Sequence, residues 1–291
     1  MKNLDIGEII RRWQVHIFLI LGLVITMLPF IWMLSTSFKS KEAIFTKTPQ
    51  IIPKKPTLEN YLRIFHIEPE EVRREKGAIG INFWRSFLNS VIVAFTIPII
   101  SLFFNSLAAF AFAKYNFAGK DKIFTLLLAT MMIPGQMTMI PVFLLLKYLG
   151  LLNSYLGLIL PAAANVYGIF LIRQFMLTIP EDLIDAARID GCSDFMIFWK
   201  IVLPLCKPVL ATLAMFSFMG TWNDFLWPLI VMTSERKYTL TVALANLSGE
   251  YTTEYGLLMA GAVIVVLPII IIYLFAQRYI IESFAHTGLK G

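Results

Sequence analysis

The sequence has few charged residues for its length. Only 15% of its 291 residues are Asp, Glu, Lys or Arg, whereas a soluble domain carries about 25%. Hydrophobic residues make up 58% of the chain, and the mean hydropathy is +0.73. A soluble fold of this size could not bury so much apolar surface, whereas a lipid bilayer solvates it. The composition therefore predicts an integral membrane protein.

Residues that bind metals or perform catalysis are also scarce. The two cysteines, Cys192 and Cys206, form neither a CxxC pair nor a disulfide framework. The three histidines, His16, His66 and His286, lie far apart in the sequence. The chain has no HExxH, GxSxG or GxxxxGK[ST] motif. We therefore predict no catalytic residue, no metal site and no cofactor on this chain.

The net charge of +6 does not indicate a nucleic-acid partner. No basic stripe with interleaved aromatic residues accompanies this charge. The predicted environment of the chain is membrane lipid, and no nucleic acid is expected to bind.

Long apolar runs are abundant. A spanning helix needs about 20 mostly apolar residues, and this criterion predicts an all-α integral membrane fold. The first run is too long for a signal peptide and lacks a clear small-residue cleavage site. Residues 1–14 are amphipathic and are predicted to lie at the membrane interface. The six predicted spans are 15–36, 84–113, 123–148, 155–176, 205–232 and 257–280.

Several predicted spans contain residues that disturb a helix. The third contains Pro134-Gly135 and then Pro141, and the fourth contains Pro161. Proline removes a backbone donor and frees a carbonyl, which must then find a partner in protein or water. We therefore predict that the third span is kinked or locally unwound, at a point where carbonyl groups line a cavity.

Polar side chains inside these spans are candidates for a substrate path. An ionisable residue in a spanning helix is costly, and by default it suggests a function. Asp224 is the strongest candidate, and Trp222, Asn223 and Gln136 accompany it. The tryptophan, like Trp227, could stack on a sugar ring or lie in the interfacial aromatic belt. The alternative for all of them is hydrogen bonding between helices, which stabilises bundles.

The segment 177–204 between the fourth and fifth spans has the pattern of two short helices. Pro180 suits the start of a helix, and the acids that follow it complement the helix dipole. Leu183, Ala186, Ala187 and Asp190 fall at helical spacing. Gly191 stands where a left-handed residue ends a helix, and Ser193 or Asp194 is placed to cap a second helix reaching Trp199. Pro204 permits a bend back into the membrane. The pattern predicts a docking knob outside the bilayer.

The spacing within this segment resembles the EAA loop of binding-protein-dependent ABC transporter permeases. Asp185-Ala186-Ala187, Gly191 and Ile201-Val-Leu203-Pro204 all fall in register with that loop, although Asp185 stands where the family usually has Glu. The resemblance extends over most of the chain and is weakest in residues 37–83. Met132–Pro141 and Gly220–Pro228 resemble sugar-type permeases, and the ending, Ala276–Ile281 with Gly288–Gly291, resembles the maltose-permease branch of carbohydrate importers.

The resemblance implies a single permease domain that does not hydrolyse ATP itself. ATP and Mg would be bound by a separate ATPase, a solute-binding protein would deliver a sugar, and a second permease would complete a heterodimer. Residues 177–204 would form the coupling loop, 37–83 an extracytoplasmic loop and 283–291 a cytoplasmic tail. The implied ATPase-coupling residues are Glu181, Asp182, Asp185, Ala186, Ala187, Arg188, Asp190 and Gly191.

Orientation and cargo are less well determined by the residues themselves. Basic residues are present both in the short links and in the 37–83 loop, so the positive-inside rule only weakly favours cytoplasmic termini. The resemblance implies a bacterial or archaeal cytoplasmic membrane with both termini cytoplasmic. Importers of other solutes, such as glycerol phosphate, share the coupling loop and remain an alternative. A self-contained secondary transporter is a further alternative, but no internal repeat is present.

Overall fold

The computed structural model describes residues 6–46, 48, 50–67, 82–247 and 254–288, and it describes their side chains except at 6–11, 276 and 278–288. All regular structure in these residues is helical. The α-helices are α1 (Ile6–Ser37), α2 (Lys41–Ile44), α3 (Glu59–Ile64), α4 (Phe83–Lys114), α5 (Lys120–Thr130), α6 (Gly135–Tyr148), α7 (Tyr155–Ala162), α8 (Val166–Met176), α9 (Glu181–Ile189), α10 (Asp194–Ile197), α11 (Leu203–Leu205), α12 (Lys207–Asn223), α13 (Leu226–Val231), α14 (Leu240–Asn246) and α15 (Tyr255–Gly288).

Three of these helices contain a stretch long and apolar enough to cross a membrane alone, namely Arg12–Ser37, Phe83–Lys114 and Tyr255–Phe275. Three further spans arise only if a bent pair of helices counts as one. The pairs are α5 with α6, α7 with α8, and Asp194–Leu205 with α12, bent by 98°, 44° and 79°. Five of the six predicted spans overlap a single helix or a bent pair, whereas the fifth, 205–232, covers α12 and α13 and leaves out most of Asp194–Leu205.

The predicted kink in the third span is present as a complete break between α5 and α6. Pro134 stands immediately before α6 with an extended backbone, so the chain leaves the helix at Met131 and re-enters it at Gly135. Pro161, by contrast, is tolerated inside α7, and the fourth span breaks just after it, at residues 163–165. Asn165 begins α8, and its side chain accepts a hydrogen bond from the Gly168 amide at 2.7 Å, as an N-cap residue does.

Both ends of the described chain are more helical than predicted. Helix α1 begins by Ile6 and continues without a break through residue 14, where we had placed the end of a separate interfacial segment. Helix α15 continues to Gly288, into the predicted tail, and residues 289–291 lie outside the described part. Neither stretch contains a proline or a capping residue that would end a helix at the predicted boundary.

The chain divides into two compact units, one from Met1–Ile81 with Leu244–Leu267 and one from Asn82–Ala243 with Pro268–Gly291. In the first unit, the turn after α1 is fixed onto α3. The Asn60 amide donates to the Ser37 and Lys39 carbonyls, each at 2.9 Å. Arg63 forms an ion pair with Glu254. These contacts order part of the predicted 37–83 loop.

In the second unit, α4 packs along α7, α8 and α12. One hydrophobic cluster joins the last turns of α4 to α8, α9, the chain from Ile197 to Cys206 and the start of α12. A second cluster joins the first half of α4 to α6, α7 and α13. The two clusters position the two candidate sites described below.

Candidate functional site

Breaks in the third and fourth spans and the gap between α12 and α13, inside the predicted fifth span, meet at a cavity of about 440 Å³. Gly135 begins the helix after the first break, Ala162 precedes the second, and Asp224 stands in the gap between α12 and α13. Helix ends leave backbone N–H and C=O groups without intrahelical partners. In a membrane such groups are tolerated only inside protein or beside a water-filled space. The cavity therefore brings the ends of broken helices together within the spans.

Asp224 lies at the rim of the gap, with its side chain half-buried. Its carboxylate accepts the backbone N–H of Trp227 at 3.4 Å, at the start of α13. Its carbonyl accepts the hydroxyl of Thr241 at 2.8 Å. Asp224 thus has a structural role in the turn, and it also lines the cavity. The prediction that placed it on the substrate path is compatible with this position.

Trp227 also lines the cavity, and its indole nitrogen is buried. Within the described residues, no hydrogen-bond acceptor reaches this N–H group. A buried donor without a partner is destabilising, and this nitrogen is too enclosed to be assigned to a ligand in the cavity. Thr138 and Thr221 contribute further hydroxyl groups to the lining. Nothing in the sequence around these two threonines predicts that they line a cavity, apart from their closeness to Pro134-Gly135 and Trp222.

The other predicted path residues lie elsewhere. Gln136 is exposed and next to the cavity lining rather than in it. Trp222 is 2% exposed and packs between Phe218 and Phe87, with ring centroids 5.6 and 5.9 Å away. Asn223 is exposed and donates to the Met219 carbonyl at 2.9 Å. Of the four predicted residues, the structure brings only Asp224 into the lining.

A polar network also joins α4 to the start of α8. Asn105 accepts the backbone N–H of Asn165 at 2.9 Å, and both of their amide groups donate to the Ser101 hydroxyl at 3.0 Å. At Gly168, a Cβ would collide with the Asn105 amide. Asn89 similarly holds the carbonyls of Arg236 and Tyr238. These asparagines therefore connect elements of the bundle.

The second candidate site is the predicted knob, and α9 is its first helix in the structure. Ile184 and Ala187 are buried in the cluster beneath the helix, whereas Leu183, Ala186 and Asp190 are exposed. The exposed face of α9 therefore differs from the face predicted for docking. Ala187, predicted to dock, packs within its own chain, whereas Ile189 is 86% exposed and belongs to the outer surface. Helical spacing alone could not decide which of two adjacent apolar positions faces inward.

Gly191 ends α9 in the predicted left-handed conformation, with φ of +80°. The Cys192 amide bonds to the Ala187 carbonyl and the Gly191 amide bonds to the Arg188 carbonyl, both at 3.0 Å. This pair of bonds defines a Schellman motif, which favours glycine at its left-handed residue. Any other side chain there would be strained, so the turn that shapes the knob depends on Gly191.

The second helix of the knob begins at Asp194, capped by the Ser193 side chain as predicted. It extends beyond the predicted end at Trp199, through a π-helical segment Phe198–Val202 and α11. The wider π turn accommodates Pro204, which lacks an N–H and would clash with a carbonyl in a regular helix. The 79° bend toward α12 follows at Cys206 rather than at Pro204.

Several charged groups on the knob form ion pairs, either within the knob or with the end of α4. Arg188 lies 3.4 Å from Asp185 and 3.6 Å from Asp194. Glu181 lies 2.8 Å from the buried Lys114. Burial and the adjacent Asp194 carboxylate raise the pKa of Tyr115 above its ordinary value. Asp182 and Asp190 are exposed, so the outer surface of the knob carries acids beside apolar groups.

The potential metal ligands are dispersed in the described part of the chain. There, no three His, Cys, Asp or Glu residues lie close enough together to hold an ion. Cys206 is buried and Cys192 half-buried, and both are in or against the cluster that supports α9.

Comparison with known proteins agrees with these features. Residues 82–285 match the model of the family described as the binding-protein-dependent transport system inner membrane component. The chain is 38% identical to the arabinooligosaccharides transport system permease protein AraQ of Halalkalibacterium halodurans over 269 residues, covering 92% of each protein.

Two further relatives have different named cargoes. The diacetylchitobiose uptake system permease protein NgcG of Streptomyces coelicolor is 34% identical over 272 residues, covering 92% of this chain and 85% of that protein. The sn-glycerol-3-phosphate transport system permease protein UgpE of Escherichia coli O157:H7 is 33% identical over 273 residues, covering 92% and 94%.

A solved structure has the same fold. It is a chain of a bacterial ABC transporter involved in the import of the acidic polysaccharide alginate, with a TM-score of 0.84, 25% identity and coverage of 96% of this chain and 99% of that one. The family model covers well over half of the sequence and the relatives nearly all of it. The chain therefore belongs to the family of inner membrane components of binding-protein-dependent transport systems, as a permease subunit of an ABC importer.

Proposed function

We propose that this permease imports a neutral carbohydrate by alternating access. It works with a second, different permease subunit, with ATPase subunits that bind ATP and Mg, and with an extracytoplasmic solute-binding protein. This chain contributes no catalytic group or cofactor. Transport then depends on two global states that the partners bind with different affinity. The observation that carries the proposal is the cavity at which three span breaks meet.

Helix α9 is the surface we assign to the ATPase. It projects acids and apolar groups outward from a rigid turn, and its inner face is buried. The assigned contacts are Asp182, Asp185, Ala186, Arg188, Asp190 and Gly191, together with the exposed Leu183 and Ile189. This assignment places α9 and both termini in the cytoplasm. The segment between α13 and α15 then faces the binding protein.

The cavity chemistry favours a neutral polyhydroxy cargo. Among the described residues that line it, Asp224 is the one ionisable side chain. A carboxylate accepts hydrogen bonds from hydroxyl groups, and the lining hydroxyl groups of Thr138 and Thr221 can form further ones. Apolar walls from Val93, Ile97 and Leu158 suit the faces of sugar rings. The proposal of a sugar is also supported by the named cargoes of the AraQ and NgcG relatives.

Glycerol phosphate is the second candidate because of the UgpE relative. A phosphate group needs basic or N–H partners when it leaves water. No lysine or arginine belongs to the described lining, and Asp224 would repel an anion. An anionic cargo would therefore need its positive groups from the second permease. This requirement makes glycerol phosphate the weaker candidate.

Purification of the tagged chain from its native membrane in mild detergent tests the partners. We expect an ATPase with a phosphate-loop motif and a second, similar permease to be recovered with it. Recovery of the ATPase with this chain as the sole permease would replace the heterodimer with a homodimer. Recovery of the chain alone after gentle cross-linking would contradict ATP-driven transport and favour a self-contained carrier.

The substitution Asp224→Asn tests the cargo and the path together. In proteoliposomes containing the purified complex and its binding protein, uptake of radiolabelled arabinotriose and of glycerol 3-phosphate would be compared. A hydrogen bond to a charged group contributes about 1.5–3 kcal/mol, so we expect the sugar concentration at half-maximal uptake to rise about tenfold. Asn223→Ala, at the exposed neighbour, is the matched control and should leave uptake unchanged.

Three results would contradict parts of this proposal. Uptake of glycerol 3-phosphate in preference to the sugar would reverse the choice of cargo. Equal effects of Asp224→Asn and Asn223→Ala would remove Asp224 from the path. Unchanged sugar uptake with a lower unfolding temperature in Asp224→Asn would restrict its role to the turn before α13.

A further inference from the structure

A buried lysine joins the end of α4 to the start of α9. Lys114 occupies the last turn of α4, and its side chain is 1% exposed. Its ammonium group donates to the Ile179 carbonyl at 2.7 Å and to a Glu181 carboxylate oxygen at 2.8 Å. A buried charge is stable only when it is paired and hydrogen-bonded. The two acceptors fulfil that condition and hold Lys114 in one place.

The two contacts lie on either side of Pro180. Pro180 precedes the first residue of α9 and has no backbone N–H, and no side chain caps this end of the helix. Lys114 therefore holds the chain at the point where α9 begins. Glu181 also lies in the first turn of α9, where its negative charge complements the helix dipole.

The last turn of α4 is itself held by a second basic residue. The Arg173 side chain of α8 donates to the Phe112 carbonyl at 3.1 Å, and its guanidinium lies 4.1 Å from the centre of the Phe124 ring. This bond satisfies one of the carbonyl groups that the end of α4 leaves free. The end of α4 is thus fixed to α8 on one side and to α9 on the other.

Apolar packing reinforces the same connection. Ile184 and Ala187 on the inner face of α9 belong to the cluster that contains Phe110 and Ala113 of α4. Packed interiors resist gradual deformation. Together with the Lys114 contacts, this cluster makes α9 and the end of α4 one mechanical body rather than a helix on a loose loop.

We propose that Lys114 is a positioning residue that transmits movement of α9 to α4. When ATP moves α9, the contacts on both sides of Pro180 oblige the end of α4 to follow. Helix α4 also provides Val93 and Ile97 to the cavity lining, so its tilt changes access to the cavity. This inference rests on the proposed function, in which α9 docks on an ATPase. It also reassigns Glu181 from an ATPase contact to an internal partner of Lys114.

A cysteine reporter in the cavity tests the inference without knowledge of the cargo. Ala162→Cys changes a small lining residue, and the chain without this change gives the background from Cys192 and Cys206. The complex of this chain with its co-purified ATPase would be placed in phospholipid nanodiscs. The rate of maleimide modification at the reporter would be measured with and without ATP and vanadate, and ATP hydrolysis would be measured in parallel.

We expect ATP and vanadate to change the modification rate in the reporter chain. Lys114→Met should reduce that ATP-dependent change about tenfold, because coupling between sites typically amounts to about 5- to 150-fold. ATP hydrolysis should persist, since the ATPase is intact. Lys122→Met, at a nearby exposed lysine, is the matched control and should behave as the reporter chain does. If Lys114 only stabilised the fold, Lys114→Met would lower the yield of complex, and the complex that formed would still show both ATP hydrolysis and the ATP-dependent change in modification rate.

Glu181→Gln provides the second variant if Lys114→Met does not assemble. Because the Ile179 carbonyl remains as an acceptor, we expect a loss in the same direction but smaller. A full ATP-dependent response in Lys114→Met would overturn the inference and leave the proposed function intact. If Lys114→Met does not assemble, a full response in Glu181→Gln would have the same meaning. A reporter chain with native Lys114 that shows no ATP-dependent response would overturn the proposed function itself.

Discussion

Helices α1 and α4 have the same length, 32 residues each, and their most apolar windows have similar mean hydropathies, 2.6 and 2.2. Their environments within the chain nevertheless differ. None of that window in α1 is buried, whereas 39% of it is buried in α4. Hydropathy thus identifies both as spans, but it does not tell which span is central to the bundle.

The difference lies in the polar residues of the two helices. Helix α4 carries buried serine and asparagine side chains, including Asn89, Ser101 and Asn105, which bond to neighbouring elements. In the apolar part of α1, Thr26 bonds only back to the Gly22 carbonyl of its own helix, and the buried polar residues of α1 lie at its end, at Ser35–Ser37. Small and polar residues allow close approach and hydrogen bonding between helices in lipid, where the hydrophobic effect gives no such drive. Polar residues within an apolar helix therefore mark the helix with protein neighbours.

The largest expected contrast is between two glycine substitutions. Gly168→Ala places a methyl group against the Asn105 amide at the α4–α8 contact, whereas a Cβ at Gly22 of α1 meets nothing within 4 Å. Overpacking a filled contact typically costs about 1–3 kcal/mol. We expect Gly168→Ala to lower the free energy of unfolding by that amount, measured by SDS denaturation in mixed micelles.

Gly22→Ala is the matched variant in α1. Alanine has a higher helix propensity than glycine, by up to about 1 kcal/mol, so this change should be neutral or stabilising. An equal loss of stability in both variants would show that α1 is packed as closely as α4, and it would remove the contrast between the two helices.

A smaller contrast is expected from removing polar groups. Asn105→Leu removes the bond from the Asn165 amide that holds α8 onto α4, and the bond to Ser101 within α4. Side-chain hydrogen bonds in membrane bundles contribute about 0.6 kcal/mol on average and up to about 1.7. We expect a destabilisation in that range from Asn105→Leu and almost none from Thr26→Val in α1. Thermal unfolding of the two purified variants provides the measurement, and a larger loss in Thr26→Val would reverse the comparison.

The smallest perturbation is photo-crosslinking, which identifies the molecules in contact with each helix. A photoreactive phenylalanine analogue would replace Phe18, 76% exposed in α1, or Phe110, 5% exposed in α4. Illumination of native membranes should join position 18 to lipid or to another protein chain. Position 110 should give products within its own chain. Identification of the products by mass spectrometry checks both, and intramolecular products from position 18 would contradict an outward-facing α1.

The sequence predicted the all-helical membrane fold because hydropathy depends on composition over a long window. The break at Pro134-Gly135 and the left-handed turn at Gly191 were also predictable, since proline and glycine restrict the backbone locally. The rotation of α9 was not predictable. Leu183 and Ile184 are adjacent and both apolar, and only the position of the cluster beneath α9 decides that Ile184 is buried.

The substrate-path residues show the same limit. Trp222 and Asp224 are two residues apart, yet one packs between phenylalanines and the other lines the cavity, because the helix ends between them. Thr138 and Thr221 joined the lining without any distinctive pattern around them. A cavity at the meeting point of three breaks depends on how the broken helices pack, which no local rule contains.

By itself, the sequence determined that this protein is a helical membrane protein with a two-helix knob, since apolar run length and local turn chemistry are properties of neighbouring residues, and the spacing in that knob carried the resemblance to importers. Only the tertiary structure decided that α4 lies among other helices while α1 is exposed, that Asp224 rather than Trp222 lines the cavity, and that Lys114 meets Glu181 across 67 residues. The physical reason is that burial, cavities and charge pairing arise between segments far apart in the chain, and their energies depend on the packing that brings those segments together.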